Sequence, residues 1–330
     1  MSIIRSTLAF AAVLLAANVC AAPVTVSGDP FTLVATQTTG VQLFELTSDT
    51  SGKVYAGNNS NNSTGIPVQL FDPALFSGAP IVLQNFGPAL GDADGIAFAS
   101  GFLYVASAAG VERITVPGSV GSLFMPGIAS NATGSPIVVR PSDGRIFVGL
   151  GGVTGINRID EYNSAGGFVA SHTTGTDVET MTFAPGSGLI YYAPFGSQVR
   201  ALNPTTNVDV AVGSSSGTID GGMTFDPISG LLFIGTANGV NSGIVETIDP
   251  ATGARKLFAT GFNGSLGILR EPVSGDLYFL EANQLYRLPS SAVIGTLTAT
   301  VKLIPTLSQT TLLLLGLLIL WVTFRGWRRT

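Results

Sequence analysis

Four side chains with oxygen atoms could bind a metal ion or act in hydrolysis. Each of them lies a few residues before a short apolar segment. They are Asp94, Glu179, Asp220 and Asn263. Carboxylate and amide oxygens are the ligands that Ca²⁺ takes in proteins, so these side chains predict a calcium site if the fold brings them together. A carboxylate beside a metal-bound water can take its proton during hydrolysis. Glu179 and Asp220 are the candidates for that catalytic role.

The same residues also have a structural interpretation, which we put first. Asp94-Gly95 and Asp220-Gly221 are ordinary turn dipeptides, in which the aspartate accepts hydrogen bonds from nearby backbone N–H groups. On this interpretation the carboxylates only stabilise loops, and no cation is held. The choice depends on whether the elements that carry these side chains converge.

The composition excludes several other chemistries. The single cysteine, Cys20, lies in the apolar N-terminal segment, and the single histidine is His172. An intramolecular disulfide and a cluster of His or Cys ligands are therefore excluded. A Ser-His-Asp triad would have to use His172, which stands in the polar stretch SHTTG and is expected to be an exposed loop residue.

The charge of the body argues against nucleic acid as a partner. Four arginines lie at the chain ends, namely Arg5, Arg325, Arg328 and Arg329. Without them, 11 basic residues stand against 20 acidic ones, a net charge of −9. Phosphate backbones require clustered Lys and Arg, so no nucleic acid partner is predicted.

The elements that would position the candidate site come from a repeat. A turn ending in Gly is followed by a strand with an aromatic at its third position, at residues 52–55, 101–104, 144–147, 188–191, 230–233 and 275–278. Successive spacings are 49, 43, 44, 42 and 45 residues, which is typical of one four-stranded propeller blade per repeat. The sequence predicts an all-β fold, a six-bladed β-propeller of four-stranded antiparallel blades. The alternatives are a seven-bladed ring and a β-solenoid.

The ring must close between the two ends of the body. The last repeat lacks a fourth strand after residues 285–288, and residues 31–35 are predicted to supply it. Residues 292–303 are then expected to be a partly extended stalk, or a competitor for the closing position. Binding is expected on the face that carries the Asn-rich segment 58–65, because its loops vary from repeat to repeat.

The second repeat carries a family resemblance. Its segments 95–98 (GIAF) and 101–106 (GFLYVA) resemble NHL-type propellers and the neighbouring regucalcin/gluconolactonase group. The resemblance implies a six-bladed propeller and a divalent metal bound through Asp, Glu and Asn at the start of the inner strands. On the residues of this chain, it points to the same four side chains and to Ca²⁺.

The N-terminus is typical of an exported protein. Residues 1–21 combine Arg5, a short apolar core and small residues at the end, which predicts a signal peptide cut by signal peptidase after Ala21. The predicted propeller domain with its stalk is 22–303.

The C-terminal 27 residues resemble the IPTL-CTERM sorting domain, which is processed by exosortase-type membrane proteases. The motif is Ile304-Pro305-Thr306-Leu307, and an uncharged apolar run follows up to Phe324. This run is near the minimum length that spans a bilayer, so a single transmembrane helix is predicted within 304–330. The residues expected to anchor its end are Trp321, Arg325, Trp327, Arg328 and Arg329. The layout implies a cytoplasmic C-terminus before processing and delivery of the body to the cell surface.

Two functions remain open from the sequence. The one put first is a non-catalytic, surface-sorted binding or extracellular-matrix protein of the bacterial envelope, whose ligand is a glycan, a protein or a cation. The second is a divalent-metal-dependent lactonase or esterase at the mouth of the propeller channel. The lack of a reactive cysteine or histidine favours the first function.

Overall fold

The computed structural model describes residues 22–37, 42–59, 66–90, 93, 95–107, 109–126, 135–150, 156–238, 243–263 and 267–298, without the side chains of residues 59, 220, 221, 237 and 238. The chain divides into two compact units, Met1–Leu297 and Thr298–Thr330, and almost all of the second lies outside the described residues. The signal peptide, the sorting motif 304–307 and the membrane-end anchors also lie outside them. Among the described residues, no helix has the length and apolar character needed to cross a bilayer.

Nearly all of the described elements are β-strands. In chain order they are β1 (Val24–Thr25), β2 (Thr32–Thr36), β3 (Gln42–Ser48), β4 (Val54–Asn59), β5 (Ile66–Phe71), β6 (Ile81–Val82), β7 (Gln84–Leu90), β8 (Ile96–Ala99), β9 (Phe102–Ser107), β10 (Gly110–Thr115), β11 (Gly121–Pro126), β12 (Ile137–Val139), β13 (Ile146–Leu150), β14 (Arg158–Tyr162), β15 (Phe168–Thr173), β16 (Thr180–Ala184), β17 (Leu189–Ala193), β18 (Gly196–Asn203), β19 (Val208–Phe225), β20 (Leu232–Asn238), β21 (Val245–Ile248), β22 (Arg255–Thr260), β23 (Gly267–Arg270), β24 (Leu277–Glu281) and β25 (Gln284–Leu288). A 3₁₀ turn spans Pro73–Leu75, and one α-helix, α1, spans Ser290–Thr298.

The strands form because short apolar runs alternate with glycine turns. At Gly230, φ is +71°, which only glycine adopts readily, and its N–H donates to the carbonyl of Asp226 at 2.8 Å. The same bond joins Gly144 to Arg140 at 2.9 Å. The predicted turn-and-aromatic pattern is confirmed, since its six aromatics are all buried, namely Tyr55, Tyr104, Phe147, Tyr191, Phe233 and Tyr278.

Consecutive strands pair in antiparallel meanders. Four-stranded sheets are formed by β3-β4-β5-β7, β8 to β11 and β12 to β15. An eight-stranded sheet runs from β16 to β22 and adds β1 at its edge. The 18-residue strand β19 joins its two halves, because it pairs with β18 along its first part and with β20 along its last. The fifth sheet has the order β23-β24-β25-β2-β6.

The first strand of each meander lies at the centre of the molecule. Strands β3, β8, β12, β16, the end of β19, and β23 line one cavity, and each contacts the next around it. Successive meanders therefore surround a common axis, and the chain has a β-propeller fold.

The chain ends close the ring as the sequence predicted. Strand β2 pairs antiparallel with β25, with Thr32 opposite Arg287 and Thr36 opposite Gln284. Short strand β6 then pairs parallel with β2. Because strands near the two ends share a sheet, neither leaves an open edge at this point.

The predicted extended stalk is wrong over residues 292–298. These residues belong to α1, which starts after Pro289, whose carbonyl accepts the N–H of Ala292 at 2.9 Å. Val293 is fully buried and packs in the cluster that also contains Phe31 and Phe258. Ala292 and Leu297, on the same short helix, are partly buried against this cluster.

Candidate functional site

The central cavity has a volume of about 210 Å³, and residues of all the inner strands line it. Threonine hydroxyls join neighbouring inner strands. Thr47 Oγ1 accepts from the N–H of Phe98 at 3.1 Å, and Thr182 Oγ1 accepts from the N–H of Phe225 at 3.1 Å. Thr224 makes the same contact with the next strand at 3.3 Å. These hydrogen bonds fix the spacing of the strands that must carry a site at either end of the channel.

Glu45 is a charged residue in the wall of this cavity that the sequence analysis did not select. It is buried on β3, and its Oε2 accepts from the N–H of Ile96 on β8 at 3.4 Å. Asn58, fully buried at the end of β4, pairs through its backbone with Ala93 just before β8. The sequence does contain an indication that Glu45 is unusual, because this glutamate interrupts an otherwise apolar run, Leu-Phe-Glu-Leu.

Glu179 lies where the sequence placed it, directly before β16 at the end of the channel from which the inner strands start. Its side chain is half-buried, and its N–H donates to the carbonyl of Ala193 at 2.9 Å. The backbone of Glu179 is thus fixed at the start of β16, and its side chain is still partly open to solvent.

A polar cluster anchors the other end of the loop that carries Glu179. The N–H of Gly175 donates to Asp209 Oδ2 at 2.7 Å and to the Tyr192 hydroxyl at 3.1 Å. Arg200 pairs with Asp209 at 2.9 Å. Burial raises the pKa of Tyr192 to about 12, so its phenol stays protonated at neutral pH. This clamp restricts the loop from Gly175 to Glu179.

Asn263 lies on the same end of the channel, in the segment leading to β23. Its backbone N–H donates to Glu281 Oε1 at 3.1 Å, and its side-chain amide donates to the same oxygen. Glu281, at the end of β24, is buried and was not selected from the sequence. Because Nδ2 of Asn263 is engaged, its Oδ1 remains as the atom able to ligate a cation.

The described residues do not test the predicted calcium site. Asp94 lies outside the described residues, and Asp220 lies on β19 with its side chain outside them. In the described part of the chain, no three His, Cys, Asp or Glu side chains come together as a metal-binding group. Glu179 and Asn263 have the oxygen chemistry that Ca²⁺ requires, but the full ligand set of Asp94, Glu179, Asp220 and Asn263 stays a prediction.

The prediction that His172 is an exposed loop residue is wrong. His172 is buried on β15, where its Nε2 lies 2.9 Å from Glu161 Oε2 and its Nδ1 lies 3.1 Å from Asn207 Oδ1. Arg140 and Arg145 also pair with Glu161. Both ring nitrogens are therefore engaged in a structural ion-pair network. His172 is the buried residue between two exposed neighbours, Ser171 and Thr173, as alternate side chains on a strand are expected to be.

A second buried ion pair lies at the opposite end of the channel. Arg270 at the end of β23 and Asp226 just after β19 are 2% and 1% exposed, and Arg270 Nε donates to Asp226 Oδ1 at 3.3 Å. The sequence pattern has Arg270 at a position where an aromatic is expected. This difference alone did not indicate that Arg270 is buried beside a carboxylate.

Comparison with family models finds no match, and no curated protein matches the chain. Solved structures do match. A gluconolactonase from Xanthomonas campestris superposes with a TM-score of 0.62 at 13% identity, covering 80% of this chain and 91% of that one. A calcium-binding protein, regucalcin, from Agrobacterium tumefaciens gives 0.57 at 14% identity, covering 78% and 95%.

A third structure, of a nidogen/laminin complex, gives a TM-score of 0.55 at 15% identity and covers 77% of this chain and 90% of that chain. The names of the three matched proteins describe different functions, and the sequence identity of each with this chain is low. What the likeness establishes for this chain is the architecture, a β-propeller similar to those of the regucalcin and gluconolactonase structures.

Proposed function

We propose that this chain hydrolyses small cyclic esters, that is lactones, at the channel end where the inner strands begin, with Glu179 as the base. The observation that carries the proposal is the position of Glu179, a half-buried carboxylate directly before an inner strand on a braced loop. The likeness to a gluconolactonase over 80% of the chain supports this function over the non-catalytic one put first from the sequence.

The proposed reaction is carbonyl hydrolysis. The Glu179 carboxylate takes a proton from a water whose oxygen attacks the lactone carbonyl carbon. The ring C–O bond then breaks, the departing alkoxide oxygen receives the proton, and one hydroxy acid is released. The chemistry that a divalent cation supplies at such a site is polarisation of the carbonyl. Asp94, Asp220 and Asn263 are the residues proposed to hold it, and the calcium-binding neighbour supports Ca²⁺.

The test is hydrolysis of glucono-1,5-lactone by the purified protein, followed by acid release in weakly buffered solution. We expect a rate above the spontaneous one, loss of the excess rate with EDTA, and its recovery when Ca²⁺ is added back. A rate equal to that of buffer alone, with Ca²⁺ present, contradicts the proposal. Activity that persists in EDTA supports the hydrolase activity but contradicts the requirement for a metal ion.

The proposed site requires a particular number of blades. We infer that the five sheets function as six blades, because β19 serves as the last strand of one meander and the first strand of the next. Six inner strands would then bring the segments before β8, β16 and β23 and the middle of β19 to one mouth. This arrangement supports convergence of Glu179 with the three residues proposed to hold the cation.

The chain ends carry a separate proposal about location. The motif Ile304-Pro305-Thr306-Leu307 and the terminal arginines support export, cutting by an exosortase-like protease and display at the cell surface. The surface-sorted binding role stays as the second candidate on this ground. In the native host, removal of residues 304–330 is expected to move the protein from the envelope fraction to the medium, detected by immunoblot. Equal distribution of both forms contradicts the sorting role.

A further inference from the structure

The second meander carries an arginine that differs from the others in its partners. Arg113 lies on β10 and is half-buried. Among the described residues, its guanidinium contacts two aromatic rings and neither a carboxylate nor another hydrogen-bond acceptor. The other arginines of the described ranges each have a carboxylate oxygen within 3.3 Å, and they are Arg140, Arg145, Arg158, Arg200, Arg255, Arg270 and Arg287.

The two rings fix the position of this guanidinium. Cζ of Arg113 lies 4.6 Å from the centre of the Phe102 ring and 4.4 Å from that of the Phe124 ring. Both rings pack edge to face against buried Tyr104. Such contacts attract the cation through the ring faces and occupy none of its five N–H donors. The charge is therefore held in place while its donors stay available to a ligand.

The next meander supports the Phe124 ring from outside. A Cβ on Gly166, in the turn between β14 and β15, would lie 3.1 Å from Cζ of Phe124 and 3.1 Å from Cγ of Met125. The turn is thus in close contact with this ring. The arginine site lies at the boundary between two meanders, and both of them restrict its shape before a ligand arrives.

A hydroxyl group stands beside the guanidinium. Ser122 on β11 is directly opposite Arg113 on β10, and it is exposed. Directly opposite side chains of an antiparallel pair share one face of the sheet, with Cβ atoms about 4.5–5.5 Å apart. The Ser122 hydroxyl can therefore donate to the same anion that accepts from Arg113.

The charge around the site selects a small anion with a single charge. A guanidinium binds carboxylate or phosphate oxygens through two parallel N–H···O bonds. Here one cation stands in a body of net charge −9, whose repulsion grows with the negative charge of the partner. Phosphate and acidic proteins are disfavoured on this ground. A carboxylate has one charge and two acceptor oxygens, which match the donors of one guanidinium.

We propose that Arg113, with Ser122 beside it, binds the carboxylate of a small organic acid at the boundary between the meander of β8 to β11 and that of β12 to β15. Phe102 and Phe124 are positioning residues, since they hold the guanidinium. The site goes beyond the proposed lactone hydrolysis, because it uses no residue assigned to that reaction.

The test is NMR of the full-length purified protein with ¹⁵N-labelled arginine, in which the side-chain Nε–H groups give separate signals. The Arg113 signal is identified by its absence from Arg113→Gln. We expect butyrate to shift this signal saturably, whereas butyramide and sodium chloride at the same concentrations do not. Inorganic phosphate should bind more weakly than butyrate.

Two variants keep the arginine and change its surroundings. Phe124→Leu removes one ring and should weaken butyrate binding by about threefold. Ser122→Ala removes one hydrogen bond and should also weaken it by about threefold. Two matched controls should bind like the wild type, namely Phe195→Leu, at an exposed ring between β17 and β18, and Lys256→Gln, at an exposed cation on β22.

Far-UV circular dichroism and melting curves establish that each variant is folded, and either site variant alone suffices. The proposal is overturned if butyrate leaves the Arg113 signal unchanged, or if butyramide shifts it equally. It is also overturned if Lys256→Gln weakens binding as much as Ser122→Ala, since net charge would then explain the effect. Phosphate that binds as tightly as butyrate contradicts the choice of a carboxylate. No lactone is present in the titration, so a failure of lactone hydrolysis leaves its result unchanged.

Discussion

Replacing Asp226 with alanine is expected to lower the free energy of unfolding by about 3–5 kcal/mol, because it leaves the buried Arg270 guanidinium without its carboxylate. Both side chains are almost fully buried, at 2% and 1% exposure. Nη1 and Nη2 of Arg270 make no hydrogen bond in the described part of the chain, so the contact at Nε is what compensates its charge. Asp226 also accepts from the N–H of Ile228 and from the Ser229 hydroxyl, which stabilises the turn after β19.

The variant Asp249→Ala separates the contribution of the turn hydrogen bonds from that of the buried ion pair. Asp249 opens a similar Asp-Pro turn and accepts from the N–H of Ala251 and the Thr252 hydroxyl, but it lies at the surface and pairs with no arginine among the described residues. Urea unfolding followed by circular dichroism should show a small change for Asp249→Ala and a large one for Asp226→Ala. The double variant Asp226→Leu with Arg270→Met should recover much of the loss, because it removes both charges. Equal losses for the two single variants would show that the turn, and not the ion pair, determines the effect.

The architecture was predictable because its signals are local and repeated. The turn glycines and the strand aromatics such as Tyr55 and Tyr278 recur at nearly constant spacing, and each repeat needs neighbours to bury its apolar faces. The closing strand followed from the same reasoning, since the last meander was one strand short and β2 completes it.

Buried charges were not predictable in this way. His172 and Arg270 are polar by type, and their burial depends on Glu161, on the neighbouring strand β14, and on Asp226, just after β19. Which partner lies beside a buried charge is a property of three-dimensional packing, and a single sequence contains little information about it. The short helix α1 was missed for a related reason, because its apolar residues fit a strand or a helix equally well until Val293 is placed in the core.

Replacing Glu179 with glutamine is expected to reduce lactone hydrolysis by about 10²–10⁴-fold while leaving the fold intact, since glutamine keeps the shape but cannot take a proton. The half-buried side chain has room for the amide, and the Gly175 clamp does not involve the carboxylate, so the melting temperature should change little. Glu112→Gln is the matched control, at a half-buried glutamate whose pKa is raised by burial and which lies on β10, the third strand of its meander, and not before an inner strand. If Glu179 acts as the base, kcat falls in Glu179→Gln and stays near wild type in Glu112→Gln. A Glu179→Gln variant that hydrolyses glucono-1,5-lactone at the wild-type rate would remove this residue from the reaction and, with it, the observation on which the proposed activity rests.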